Sequence, residues 1–264
     1  MTDVVLGATG HLGRMLHLCW RDEDFLWQSR HDRRGFVTCD LLNDPHGLTA
    51  LLRVAGNIIC LAGVTRGPAM EDNVTLAGAT LDAAARAGAG RVFLVSSAAV
   101  YGDQPGPLSE DAARQPLSDY AHAKCRMEDL ARKHPHPSII LRIGNVAGAD
   151  AILGRWRDGM ALDADANGVT PRRSYIGPRM LARALRALTA MEDLPDILNI
   201  AAPGSVEMGA LLDAAKLPWI PRPASPHTIW EVTLATKRLD QLVGPRDGSP
   251  ASIVADWQSL MAHA

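Results

Sequence analysis

Val4-Val5-Leu6-Gly7-Ala8-Thr9-Gly10-His11-Leu12-Gly13 is an apolar triplet that runs straight into glycines at positions 7, 10 and 13. The triplet reads as a buried strand. The spacing of Leu12, Met15, Leu16 and Cys19 within His11–Trp20 reads as one face of a helix. Each glycine between them has its own physical use. Gly7 lets the chain turn sharply, Gly10 leaves no Cβ where a phosphate must approach the backbone, and Gly13 lets the helix lie close on the sheet. A helix that starts here offers free N–H groups and the positive end of its dipole to an anion. The segment predicts a strand–turn–helix cradle for a pyrophosphate, with Gly7, Thr9, Gly10, His11, Leu12 and Gly13 at the ligand.

The same alternation continues outward. Further strands are expected at Phe25-Leu26-Trp27, Gly35–Thr38, Asn57–Leu61, Arg91–Val95 and Ser138–Leu141, and helices at Leu48–Val54, Ala69–Ala87 and Tyr120–Lys133. Strand–helix alternation of this kind predicts an α/β fold, a Rossmann-type doubly wound parallel sheet. After Asn145 the pattern loosens. Residues 146–175 are polar and irregular, a helix resumes at Pro178–Ala190, and a late strand follows at Asp196–Ile200. Leu217–Pro226 crowds four prolines and reads as a loop, and Ser252–Ala262 reads as a closing helix. The expected division is a nucleotide-binding domain over 1–145, to which 176–200 return, and a small C-terminal substrate-binding lobe from 146–175 and 201–264.

A chain of 264 residues has room for such a domain and a small lobe. With 47% apolar and 21% charged residues, the composition excludes disorder. A net charge of −2 gives no basic field for nucleic acid or an anionic membrane, and no apolar run reaches the roughly 18 to 20 residues of a span. Cys19, Cys39, Cys60 and Cys125 form no CxxC pair, and the chain enters its strand pattern at once. We therefore expect a cytoplasmic protein with reduced, buried thiols. The histidines form no HxxxH or HExxH pair, so no metal site is expected. His134 and His136, on either side of Pro135, are expected at solvent.

Dinucleotide sites that prefer NAD place an Asp or Glu at the end of the second strand, against the adenine ribose. Here Gln28 or Ser29 fills that slot, Arg30 follows, and Arg33 and Arg34 lie close behind. An arginine there pairs with a 2′-phosphate, which favours NADP over NAD. Asp32 would serve NAD if the strand ended later. Asp40 and Leu41, after the third strand, suit an adenine contact or, equally, a helix-capping turn.

Tyr120 and Lys124 stand four residues apart in Tyr-Ala-His-Ala-Lys, on one face of a predicted helix, with His122 off that face. A phenol with a pKa of about 10 is a weak base at neutral pH. A neighbouring ammonium favours the phenolate, and the same amine can hold a ribose. Ser97 lies in Ser96-Ser97-Ala98-Ala99-Val100-Tyr101-Gly102, at the carboxyl end of the fifth strand, where sheets of this kind bind ligands. Its hydroxyl suits an oxygen that gains or loses charge.

As a set these pieces resemble the extended short-chain dehydrogenases/reductases of the NAD-dependent epimerase/dehydratase family. The resemblance covers nearly the whole chain. It runs in order through the glycine loop, Asp40-Leu41, Leu61-Ala62-Gly63, Asn73-Val74, Ser-Ser-Ala-Ala-Val-Tyr-Gly, Tyr120 with Lys124, and Arg142-Ile143-Gly144-Asn145-Val146. It implies that Tyr120 is the acid/base, Lys124 its activator and ribose ligand, and Ser97 the hydroxyl that orients substrate. Leu61, Ala62 and Gly63 would line the cofactor, and Asn73 would help place it. Pro171-Arg172-Arg173-Ser174-Tyr175-Ile176 is similar to the family's segment whose arginine binds a nucleotide-sugar pyrophosphate. Arg173 matches that arginine, and Ser174 replaces the usual Asp. Arg222 is a looser match to a second phosphate-binding arginine. Tyr101 and Asn145 complete the expected substrate residues. Ala98-Ala99 stand where a dehydratase carries its acid pair, which argues against dehydration.

The resemblance implies an NAD(P)-dependent oxidoreductase acting on a nucleotide sugar or related carbohydrate, while the arginines after the second strand favour NADP over NAD. It also implies a homodimer through the helices near 69–87 and 119–133. An epimerase with retained cofactor and a non-catalytic NADP-sensing protein are the alternatives.

Overall fold

Thr2–Leu6 becomes an inner strand of a seven-stranded parallel sheet, flanked by Phe25–Ser29 on one side and Ala55–Cys60 on the other. The structure, a computed structural model, describes residues 1–262. The sheet runs in the spatial order Ile197–Ile200, Ser138–Ile143, Val92–Ser97, Ala55–Cys60, Thr2–Leu6, Phe25–Ser29, Val37–Thr38. Chain order reverses beside Thr2–Leu6, the switch point at which doubly wound sheets open a crevice beyond their carboxyl ends. The expected fold class is the observed one.

The chain divides into two compact units. The first comprises Met1–Val100, Pro116–Arg142 and Met191–Leu198. Its core is aliphatic and closed: Val4, Leu6, Leu48, Leu52, Ile58, Leu81 and Val92 are all at 0% exposure. Helix Pro45–Leu52 is capped by Asp44, which accepts from the Gly47 N–H. Helix Asp72–Ala87 ends on Gly88 at φ 64°, a left-handed conformation that costs little only for glycine. Helix Asp119–Lys133 starts under a Ser118 cap. His136 corrects the expectation of a solvent-facing loop. It is buried, its Nε2 lies 2.9 Å from the Gly90 carbonyl, and its neighbour His134 meets Asp82 at 3.2 Å. Cys39, Cys60 and Cys125 are buried, while Cys19 is only partly buried.

The second unit comprises Tyr101–Gln115, Ile143–Ala190 and Asn199–Ala264. Its core gathers Ala147, Leu153, Leu162, Tyr175, Leu211, Leu212 and Ile253, with Trp156, Trp219 and Trp257 packed around it. Of the stretch 176–200, expected to return to the first domain, Met191–Leu198 belong to the first unit and helix Pro178–Thr189 to this one. Asp256, on the closing helix Pro250–Met261, accepts the backbone N–H groups of Arg179 and Met180 at its first turn. The proline-rich stretch is not a plain loop. Ile220–Pro223 pairs in parallel with Ala161–Ala164. Its period of two explains why: Ile220 and Ala224 donate to Met160 and Ala164, and Pro221 and Pro223 fall where no donor is needed. Residues 146–175, expected to be irregular, contain Ala161–Ala164 and the short strands Arg172–Arg173 and Tyr175–Ile176.

Candidate active site

Gly7 adopts φ +72°, and a Cβ there would lie 2.5 Å from the Ala62 backbone nitrogen, so only glycine fits. Leu61 N–H donates to Leu6 at 2.9 Å, which seats Leu61-Ala62-Gly63 directly beside the loop. A Cβ on Gly13 would strike the Ala8 carbonyl oxygen at 2.4 Å, so this glycine closes the helix onto its own turn. Gly10 differs. A Cβ there would meet only the Gly7 oxygen, at 3.4 Å, so the space above it is open. Helix His11–Cys19 starts at Gly10 with no side-chain cap and no acidic residue in its first turn, which leaves its N-terminal donors and dipole to an external anion. This is a cradle that fits a dinucleotide's phosphates. Thr9, His11 and Leu12 lie on it, and Arg14 donates to the Thr9 carbonyl at 2.8 Å.

Asn73 is buried and fully engaged. It donates to the carbonyls of Val64 and Met70 at 2.8 and 2.9 Å and accepts from Val64 N–H at 3.2 Å. It shapes the loop after the fourth strand through these bonds. A Cβ on Gly63 would lie 2.7 Å from Asn73 Oδ1 and 3.4 Å from Lys124 Nζ, so this loop, Asn73 and the lysine meet at one place.

The structure brings Ser97, Tyr120 and Lys124 together. The Ser97 side chain lies beside the Tyr120 phenol, and the Lys124 ammonium stands 5.8 Å from the centre of the tyrosine ring. Lys124 donates to the Val95 carbonyl at 2.8 Å, which aims it at the end of the fifth strand. The electrostatics run against the simple expectation of an activated phenolate. Burial raises the Tyr120 phenol above its ordinary value, the Ser97 bond opposing, because a phenolate in a dry site loses its hydration. Burial also pushes the lysine down to about 8, opposed by Cys60 and Glu128. Burial thus favours the neutral phenol of Tyr120 and weakens the hold of Lys124 on its proton.

One turn below Lys124, the Glu128 carboxylate is completely buried. It accepts from Ser96 Oγ at 2.6 Å and from Arg142 Nε and Nη2 at 3.0 and 2.7 Å. Arg142 is 2% exposed. The pair ties the helix of Tyr120 to the fifth and sixth strands. Sequence reasoning missed Glu128, although its place four residues after Lys124 on the same face was a readable signal.

At the far end of the sheet, both residues in the ribose slot are buried. Arg30 is the first exposed side chain beyond them. Asp40 accepts from Leu42 N–H and from both nitrogens of Asn43, and these bonds hold its carboxylate below the usual range. These bonds close a turn, the helix cap itself being Asp44, and Leu41 beside Asp40 is buried.

The remaining residues lie in the second unit. Tyr101 is at 0% exposure, and its hydroxyl donates to Asn199 at 2.8 Å. It is a core residue and not a ligand contact, a correction of the expectation. Asn145 pairs in register with Tyr175, whose hydroxyl donates to Asp150 at 2.6 Å. Arg173 is partly buried and donates to the carbonyls of Arg172 and Ile229 at 2.7 and 2.8 Å. Arg222 is exposed and bonded to Asp163 at 2.6 Å. On the helix of the first unit, His122 is exposed, as its place there predicted.

Several known proteins are similar to this chain. The family model described as NAD dependent epimerase/dehydratase family matches residues 4–201. The UDP-glucose 4-epimerase of Azospirillum brasilense is 37% identical over 117 residues, 42% of this chain and 34% of that protein. Protein YeeZ of Escherichia coli K12 is 28% identical over 131 residues, 49% of this chain and 48% of that protein. The matched stretches thus cover less than half of these curated relatives. Among solved structures, MoeE5 in complex with UDP-glucuronic acid and NAD superposes with a TM-score of 0.80 at 19% identity, over 99% of both chains. UDP-glucuronic acid 4-epimerase from Bacillus cereus, in complex with UDP-glucuronic acid and NAD, gives 0.79 at 18% identity over all of both chains. At these identities the structural likeness carries the fold.

Proposed function

The chain belongs to the NAD dependent epimerase/dehydratase family, and from that premise we propose that it is an NAD(P)-dependent oxidoreductase acting on a nucleotide sugar or related carbohydrate. The observation that carries this reading is the grouping of Ser97, Tyr120 and Lys124 beside the glycine cradle. In it, Gly7, Thr9, Gly10, His11, Leu12 and Gly13 hold the dinucleotide phosphates, and Leu61, Ala62, Gly63 and Asn73 form the wall beside them. Asp40 and Leu41 shape the adenine side. The dinucleotide supplies the hydride acceptor or donor at its nicotinamide. Tyr120 gives or takes the proton of the reacting oxygen, Ser97 orients that oxygen, and Lys124 holds the ribose. A tyrosine kept protonated by burial is set to donate, which supports reduction of a carbonyl.

Arg30, exposed at the strand end with no carboxylate in the slot before it, supports NADP. The two solved structures named above carry NAD, so NAD is the competing reading. Arg173 and Arg222, with Asn145, are the proposed substrate-diphosphate residues. Arg173 supports this most: its guanidinium is held in place by backbone carbonyls, a preset charge for an anion. The match to a UDP-glucose 4-epimerase favours a second reading, an epimerase that keeps its cofactor bound. We further propose a cytoplasmic homodimer, formed through helices Asp72–Ala87 and Asp119–Lys133. Among the described residues no helix is long and apolar enough to cross a membrane.

Fluorescence titration of wild type and Arg30→Ala with NADPH and NADH tests the reading. NADPH binding that Arg30→Ala weakens selectively supports it. Preference for NADH, or cofactor that co-purifies and does not exchange, moves the assignment to the epimerase.

A further inference from the structure

Gln28, next to last in the second strand and 21 positions after Gly7, is one of the two residues in the slot where NAD-preferring folds carry an acidic ribose ligand. Its side chain does not reach outward. It is 2% exposed and turned back beneath the phosphate loop. Oε1 accepts from Gly7 N–H at 2.8 Å, and Nε2 donates to the Cys39 carbonyl at 2.6 Å. The backbone adds a third tie, from Ala8 N–H to the Gln28 carbonyl at 3.3 Å. One carboxamide thus links the first turn of the cradle to the ends of two strands.

The chemistry requires an amide. A glutamate keeps the acceptor for Gly7 but turns a second oxygen toward the Cys39 carbonyl and buries a negative charge beneath the phosphate loop. A methionine keeps the shape and loses both bonds. The neighbours are also committed: the Ser29 hydroxyl accepts from His31 N–H at 3.3 Å, and Asp40 is bound into its own turn. The exposed charged groups left beyond the strand end are Arg30, Asp32, Arg33 and Arg34.

We propose that Gln28 positions the phosphate loop through Gly7 and, as a neutral and fully engaged group in the acidic slot, sets the site to accept a 2′-phosphate. The proposal rests on the reading of the loop as a dinucleotide cradle. In it, bracing falls to Gln28 and contact with the 2′ position to Arg30.

The test uses the full chain, with NADH and NADPH as probes, and measures amide exchange at Gly7 in cofactor-free protein. In Gln28→Met the Gly7 amide loses its acceptor. Its exchange should accelerate about tenfold or more, and NADH and NADPH should weaken by a similar factor of about ten. In Gln28→Glu the Gly7 amide should stay protected while NADPH weakens at least about tenfold more than NADH. If Gln28→Met does not fold, Gln28→Glu, which retains the Gly7 bond, carries the test. Unchanged exchange and affinity in Gln28→Met overturn the bracing role. Equal weakening of both cofactors in Gln28→Glu overturns the specificity role. Wild type that binds neither cofactor overturns the dinucleotide reading itself, and Gly7 exchange then reports on the brace alone.

Discussion

Glu128→Gln should destabilise the protein far more than its single lost charge suggests. In the folded chain the carboxylate has three short hydrogen bonds, at 2.6, 3.0 and 2.7 Å, and both members of the Glu128–Arg142 pair are sealed from water. A carboxamide there can still accept through its oxygen, but its NH2 group faces the donors of Arg142, and the opposing charge is gone. Breaking one side of a buried ion pair costs about 3–5 kcal/mol, mostly from the charge left in a dry site. A chain of this size shifts its melting point by roughly 2–4 °C per kcal/mol, so the expected drop is on the order of 6–20 °C. Scanning calorimetry at pH 7 reads it. Replacing the whole group with apolar side chains, as in Ser96→Ala/Glu128→Leu/Arg142→Met, should recover stability to within about 2 kcal/mol of wild type. Glu128→Gln that melts within about 2 °C of wild type would refute the reasoning, because the pair would then be solvated or dispensable.

The other predictions concern the cradle and the proton chemistry. Gly10→Ala should leave the melting point of the cofactor-free protein unchanged, because its Cβ meets only one oxygen at 3.4 Å, yet weaken NADPH binding about tenfold by filling the phosphate approach. Gly13→Ala should instead destabilise the free protein by about 1–3 kcal/mol in urea titration, since its Cβ lands 2.4 Å from a backbone oxygen. Lys124, held near 8 against 10.5 when unfolded, binds its proton more weakly in the folded chain. Its burial penalty is therefore fully present below pH 8, and stability should rise between about pH 8 and 10.5, by roughly 3 kcal/mol in all. Lys124→Met should lack that rise and melt higher than wild type at pH 7, which paired melts at pH 7 and pH 10 will check.

Much of the first unit was legible because its signals are local. Apolar runs such as Val4-Val5-Leu6 mark buried strands whatever surrounds them, and glycine spacing reports a backbone need that no other residue meets. The Tyr120–Lys124 spacing was readable for the same reason. Gln28 was not, because a polar residue at a strand end looks alike in sequence whether it faces a ligand or turns back under a loop. Tyr101 misled for a related reason. It belongs to a motif at the strand end, but Asn199, far away in sequence, takes its hydroxyl into a core. Helical spacing also reports the ammonium near Tyr120 and is silent on the burial that raises its phenol. In the second unit, prolines hid an edge strand whose hydrogen bonds come from the residues between them.

The most direct measurement is hydride transfer itself. Wild type and Tyr120→Phe would be mixed with NAD or NADP and a panel of nucleotide sugars that includes UDP-glucose and UDP-glucuronic acid, and with the reduced cofactors and the corresponding keto sugars. Absorbance at the reduced-nicotinamide band and the sugar products would be followed together. The account predicts turnover by wild type that falls about 100-fold or more in Tyr120→Phe, with cofactor affinity little changed. Tight cofactor binding with no hydride exchange and no sugar product, or turnover that survives the loss of the phenol, would contradict it.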